Sequence, residues 1–399
     1  MQKNHVFGAK SAKTNRALII IEMAITSSIM SMAIMTPFFN SVGLNQQQIA
    51  LSQMVCTAVA MILNIPMGWV ADRFSRKWAN IIGDLLCATS LLIYSQVNSF
   101  GGIVICEALF GLACALSQGV DSSLLKHFAD KDDPSGKLFK RSFSIARGLV
   151  EIWEVLLLLI AGPIGAISFR LCIALSAVTY IAGAILSFCI GDDSPKLAQT
   201  HKNPFRDMGA VTKRCFKNPA LRLRIAAFAI GREVTHGIIW VFTPLMMLVG
   251  VPLSIVTFGW ILSSIMAFAG AELAKRFSSR MSEFQIFAIP FAILTIAGSI
   301  MFFNLNIVTI WLYGLFGLVR GWNGSTMMPM IKEHAKASEQ STIESIARVC
   351  SQLLYIVTTF FINSAADIEK HYSIGVTLLI FVPLAIPIAL KLRHNAENS

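Results

Sequence analysis

The chain has 399 residues, of which 55% are apolar and only 14% charged, with a mean hydropathy of +0.65. That composition excludes an ordinary soluble globular domain and requires most of the chain to contact lipid. The formal net charge is +11, but its placement along the chain argues for topology and against a nucleic-acid partner.

A spanning helix needs roughly 20 mostly apolar residues. Twelve such stretches begin near Ala17, Gln47, Trp78, Gly101, Arg141, Phe169, Ile225, Ser254, Phe284, Ile307, Ser341 and Tyr372. The expected fold is an all-α membrane protein of twelve transmembrane helices. Lys3, Lys10, Lys13 and Arg16 precede the first apolar run, which continues to Pro37 without a small-residue cleavage site, so it reads as a permanent helix. The long polar interruption from Gly191 to Ala220 contains Pro195, Pro204 and Pro219 and splits the helices six and six. The domains expected are therefore 1–190, a cytoplasmic linker 191–220, and 221–399. With the N-terminus inside, 27 of the 33 Lys and Arg fall on cytoplasmic segments and only Arg170 and Lys370 on the other side, which sets both termini in the cytoplasm.

Seven of the eight cysteines lie inside apolar stretches and only Cys215 in a loop, so they are packing residues rather than a disulfide framework. No Cys/His cluster has metal-ligand spacing, no glycine-rich loop follows a strand, and no nucleophile elbow is present. Nothing supports an enzyme, and no metal or cofactor is expected beyond a proton gradient.

The two halves repeat each other in order. Thr36-Pro37 and Val42-Gly43 return as Thr243-Pro244 and Val249-Gly250, an offset of 207. Ala71-Asp72-Arg73-Phe74-Ser75 returns as Ala274-Lys275-Arg276-Phe277-Ser278, Leu109-Phe110-Gly111-Leu112 as Leu315-Phe316-Gly317-Leu318, and Ser144-Ile145-Ala146-Arg147 as Ser345-Ile346-Ala347-Arg348. Four matches in register indicate a duplication. Parallel six-helix repeats of this kind place a solute pathway between the halves.

The segment Gly68-Trp69-Val70-Ala71-Asp72-Arg73-Phe74-Ser75-Arg76-Lys77 closely resembles the signature loop of the major facilitator superfamily (MFS), with Ser75 where a second glycine is usual. The resemblance covers the whole chain and implies two pseudo-symmetric six-helix bundles that work as a secondary transporter. It also implies a cytoplasmic latch: Gly68 permits close helix approach, and Asp72 meets the N-terminal end of the eleventh helix. Arg73, Arg76 and Lys77 supply the basic side, and Asp121 is the partner of Arg76. In the second half Lys275 replaces the aspartate, so that latch is degenerate.

Ionisable residues inside a bilayer are costly and mark pathways or pairs. Arg147, Glu151 and Glu154 form one helical stripe, matched by Arg348, Gln352 and Tyr355 at an offset of 201. Each stripe either lines the pathway or, in the first half, is a packing ion pair. Glu107 stands where many proton-coupled members of the superfamily carry an arginine, and Glu22 is similar to the acidic residue that drug/proton antiporters use. Asp84 reads either as a functional group or as a packing residue hydrogen-bonded to a neighbouring helix. The second half offers Arg232, Glu233 and His236 on one helix and Arg320 on another. Acidic residues dominate the first half and arginines the second, so protons are expected to load on the first and an anionic or zwitterionic group to meet the second.

These features lead to proton-coupled efflux of a small organic solute as the first expectation, helped by Ala161-Gly162-Pro163, which resembles a glycine-proline element of antiporters. Proton-driven uptake of an anionic metabolite is the alternative, and a non-transporting sensor of the same fold the third. The expected setting is a bacterial inner membrane, with the protein a monomer whose partners are its small-molecule substrate and the lipid bilayer.

Overall fold

In the computed structural model the described residues are 11–73, 75–117, 120–191, 204–334 and 340–397. Among them the chain is helical with no strand. Its helices are α1 (Ala12–Thr26), α2 (Met35–Ser41), α3 (Gln46–Arg73), α4 (Arg76–Tyr94), α5 (Phe100–Ser117), α6 (Val120–Asp132), α7 (Lys137–Ile167) and α8 (Phe169–Cys189). They continue with α9 (Pro204–Lys217), α10 (Pro219–His236), α11 (Ile239–Leu248), α12 (Leu253–Phe277), α13 (Glu283–Phe303), α14 (Tyr313–Lys332), α15 (Gln340–Ile368) and α16 (Tyr372–Glu397).

Nine spans among the described residues are long and apolar enough to cross a membrane, with α1–α2, α5–α6 and α10–α11 each counting as one. The twelve expected stretches are all helical, but α3, α4 and α14 fall outside the nine. They carry polar residues, Gln53 and Asn64, Asn80 and Asp84, and Arg320 and Asn323 respectively. The interruption between the sixth and seventh expected stretches contains α9, an amphipathic helix that sequence patterning read as linker. Serine and asparagine start several helices. Ser75 Oγ accepts from Trp78 N at 3.4 Å, Ser282 and Gln285 form a reciprocal capping box, and Asn218 precedes Pro219 in the first turn of α10.

The chain divides into two compact units, Met1–Met32 with Val55–Thr200, and Ala33–Met54 with His201–Ser399. In the first, α1 packs on α6, α7 and α8, and α4 packs on α5 and α8. Ile19, Leu125, Phe128, Ala146 and Ile190 form part of its core. In the second, α12 packs on α14, α13 on α16, and α10 on α14, α15 and α16.

The duplication is visible in backbone detail. Both α2 and α11 end on a glycine in the left-handed region, Gly43 at φ 93° and Gly250 at φ 88°. Their turns close through equivalent bonds, Leu44 N to Phe39 O at 3.1 Å and Val251 N to Met246 O at 3.0 Å. A Cβ on Gly111 would meet the carbonyl of Cys56, and one on Gly317 the carbonyl of Ser263, so the same helix crossing occurs in each repeat.

The Thr-Pro pairs explain a reciprocal contact inside the second unit. A helical proline lacks the N–H that would bond the carbonyl four residues earlier. Pro37 thus frees the carbonyl of Ala33, and Pro244 that of Trp240. Thr243 Oγ1 donates to Ala33 O at 2.9 Å, and Thr36 Oγ1 donates to Trp240 O at 3.0 Å. Each repeat's threonine therefore satisfies the carbonyl that the other repeat's proline released. Trp260 Nε1 donates to Thr243 Oγ1 at 3.0 Å, and Phe39 packs on Trp240 with ring centroids 6.4 Å apart.

Candidate functional site

In the first unit, α1, α4, α6 and α8 bring polar groups into one buried cluster. Glu22 is 1% exposed. Asn80 Nδ2 donates to Glu22 Oε1 at 3.0 Å and lies 3.1 Å from Ser187 Oγ. Thr26 Oγ1 donates to the Glu22 carbonyl at 3.0 Å and lies 3.3 Å from its carboxyl. Asp121 contacts Asn80 and Glu22, and Asp84 lies within electrostatic reach of both acids. Glu22 Oε2, Asn80 Oδ1, Asp84 Oδ2 and Asp121 Oδ1 are buried without a hydrogen-bond partner. The sequence expectation paired Asp121 with Arg76; in this unit its carboxyl sits beside Glu22 and Asn80. Asn80, one helical turn before Asp84, was not singled out from sequence, although its i, i+4 spacing to a carboxylate in an apolar helix was a signal.

Glu107 is also buried, 4% exposed, but elsewhere in the unit. The Tyr94 hydroxyl and Cys56 thiol lie against it, so α3 and α4 enclose the carboxyl that α5 carries. Lys77 Nζ donates to Ile190 O at 2.6 Å and sits 5.4 Å from the Phe188 ring centroid. That places its charge at the C-terminal end of α8, where a cation is favoured. Gly68, Asp72 and Arg73 belong to α3, and their packing lies outside what is described.

Arg147 pairs with Glu151 at 3.6 Å along α7, as their spacing implies, and Glu154 shares their face. The exposed aliphatic residues of α7, Ile145, Leu149, Ile152 and Leu156, lie roughly 180° away at about 100° per residue. Arg147 is nevertheless 57% exposed. The charged face of α7 therefore lies opposite its exposed apolar one. In α15 the same holds: Arg348, Gln352 and Tyr355 lie opposite the exposed Leu353, Val357 and Phe361.

The second unit gathers α10, α14 and α15 around cations. Arg232 Nε lies 3.5 Å from Glu233 Oε1, and Ser351, which sequence reasoning missed, donates to the same carboxylate. The His236 ring contacts its own helix through Nδ1 and Arg232 O at 3.0 Å. A carbonyl partner assigns the proton to Nδ1 and leaves Nε2 as an acceptor. Trp240 Nε1 donates to Tyr355 OH at 2.8 Å. Arg348 Nη2 and Lys332 Nζ both hold Glu344, at 2.8 and 2.7 Å. Arg320, half-buried on α14, has electrostatic influence on His236 and Tyr313. Gln352 is half-buried on α15. The structure thus joins Arg232, Glu233, His236, Arg320 and Arg348 on neighbouring helices, and gives Glu22 and Glu107 different neighbours.

No residue group among those described has the arrangement of a metal site. What these sites can do is exchange protons at buried carboxyls and hold charge at arginines. Solved structures with the same fold include a single-residue mutant of the nucleoside transporter NupG. It has a TM-score of 0.79 at 13% identity, over 96% of this chain and 99% of that one. A bacterial homologue of the human lysosomal transporter Spinster, in an inward-facing and occupied conformation, has a TM-score of 0.74 at 13% identity, over 96% of each chain. A D-xylose-proton symporter has a TM-score of 0.67 at 12% identity, over 96% of this chain and 95% of that one. No curated protein matches the chain. The family description Major Facilitator Superfamily matches residues 17–359. With a backbone-level duplication among its helices and that match over most of its length, the chain belongs to the Major Facilitator Superfamily of integral, multi-pass membrane transporters.

Proposed function

We propose that the chain is a proton-coupled secondary transporter that exports a small organic solute by alternating access. The observation that carries this reading is the buried cluster of Glu22, Asp84 and Asp121 around Asn80, with an unpartnered oxygen on each. A carboxylate in the bilayer core without a cation beside it is costly, and three such groups within mutual reach are suited to taking up and giving off a proton. Coupling follows if protonation and solute favour different states of the helix packing. The polar stripes on α7 and α15 serve as the solute path in this reading, and the basic loop after α3 closes its cytoplasmic side. The protein acts as a monomer in a bacterial inner membrane with both termini in the cytoplasm.

A second reading, proton-driven uptake of an organic anion, is favoured by the arginines of α10, α14 and α15. Membrane vesicles with an imposed pH gradient separate the two. Solute movement opposite to the proton flux supports export, and movement with it supports uptake. Glu22→Gln is expected to abolish the pH-driven component while leaving downhill exchange. A variant that still couples as the wild type refutes the assignment of the proton to this cluster.

A further inference from the structure

We infer that Arg320 is the anchor for the negatively charged group of the transported solute, which is therefore an organic oxyanion bearing a carboxylate, phosphate or sulfonate. This rests on the reading that the chain carries a solute past α10, α14 and α15, and it is independent of transport direction and of where the proton binds.

The argument begins from depth. Arg320 follows Tyr313, the first residue of α14, by seven residues and precedes Lys332, the last, by twelve. At 1.5 Å per residue it lies roughly 10 Å from one helix end and 18 Å from the other. A side chain at that depth does not reach either interface by snorkelling. Among the described residues Arg320 makes no ion pair and no hydrogen bond, although a guanidinium presents five donors.

Its neighbours are differently placed. Arg232 has Glu233 at 3.5 Å, and Arg348 and Lys332 share Glu344 at 2.8 and 2.7 Å. Of the four cations Arg232, Arg320, Lys332 and Arg348, three are thus held by the carboxylates Glu233 and Glu344, and Arg320 is the one those carboxylates do not hold. The fields of Arg232 and Arg320 both reach His236, and those of Arg232 and Arg348 reach each other, so the excess charge is concentrated in one region of the unit.

An unpaired guanidinium at mid-membrane is expensive to maintain, and it persists where a water-accessible path and an intermittent counter-ion offset that cost. The planar fork matches two oxygens of one oxyanion. His236, with its proton on Nδ1, offers Nε2 only as an acceptor, and thus suits a hydroxyl or amide donor on the same solute rather than a second oxyanion.

The test uses the purified full-length protein in detergent with no pH gradient, so a failure of the proton assignment leaves it untouched. Thermal unfolding is followed at millimolar benzoate, succinate, phenyl phosphate and benzenesulfonate, each paired with its neutral amide, alcohol or ester. At least one oxyanion is expected to raise Tm where its neutral partner does not, and the class that does so tells carboxylate from phosphate from sulfonate. Arg320→Gln is expected to weaken that binding at least tenfold, Arg320→Lys to give an intermediate loss, and Lys391→Gln to bind as the wild type. If Arg320→Gln does not fold, the loss in Arg320→Lys decides. Absence of stabilisation by any of the four anions, or unchanged binding in both Arg320 variants, overturns the inference.

Discussion

Replacing Thr36 or Thr243 by valine keeps side-chain volume nearly constant while removing a hydroxyl, so the effect reads the hydrogen bonds alone. Thr36→Val deletes one bond, to Trp240 O. A neutral hydrogen bond contributes about 1 kcal/mol net, and a bond between membrane helices about 0.6 kcal/mol. A loss of about 1 kcal/mol corresponds to a roughly fivefold shift toward the conformation in which the contact is open. Thr243→Val deletes its donation to Ala33 O and also the acceptor of Trp260 Nε1, whose residue is buried. Leaving a buried donor unmatched adds a desolvation penalty, so the total is about 2–3 kcal/mol and the shift about 30- to 150-fold. Hydrogen exchange read by mass spectrometry on the peptides spanning 33–44 and 239–251 is the assay. Both segments are expected to exchange faster in either variant, and Thr243→Val to exceed Thr36→Val. If one segment alone responds, or if the order reverses, the reciprocal account is wrong.

Two further outcomes concern packing and capping. Gly111→Ala and Gly317→Ala push a Cβ into the carbonyls of Cys56 and Ser263, whereas Gly324→Ala meets nothing within 4 Å. The first two are expected to lose about 1–3 kcal/mol of stability, and the third to gain up to about 1 kcal/mol from helix propensity, measured as Tm against wild type; equal effects at all three sites contradict the crossing geometry. Asp367 accepts from Gln46 N at 2.7 Å and Gln47 N at 2.8 Å, capping α3 from α15. Asp367→Ala is therefore expected to cost about 1 kcal/mol and to increase exchange at the start of α3. No change in that peptide removes the capping role.

The repeat was legible from sequence because the residues that carry it are locally dictated. Gly43 and Gly250 are needed for positive φ, Gly111 and Gly317 for close helix approach, and a Thr-Pro pair has few equivalents. The Arg147–Glu151 pair was readable because it lies four residues apart on one helix. Partners supplied by another helix were not. Nothing local ties Asn80 to Glu22, Ser351 to Glu233 or Asp367 to Gln46, since each pair forms only after distant helices pack. Glu107 shows the same limit: its sequence position suggested a pathway group, and its surroundings of Tyr94 and Cys56 come from other helices. The linker helix α9 was missed because its charges and prolines outweighed an amphipathic period.

The Thr-Pro exchange also bears on how such a chain arose. At the offset of 207, Thr243 stands for Thr36 and Trp240 for Ala33, so both bonds are one contact written twice. In a six-helix ancestor with a single Thr-Pro, that contact is isologous: each copy's threonine reaches the carbonyl its partner's proline has released. In a lone copy the hydroxyl could turn back to its own helix, but the freed carbonyl would need another donor in a medium that offers no water. Joined in one chain, the two copies hold that interface at an effective concentration set by the linker rather than by the abundance of separate subunits.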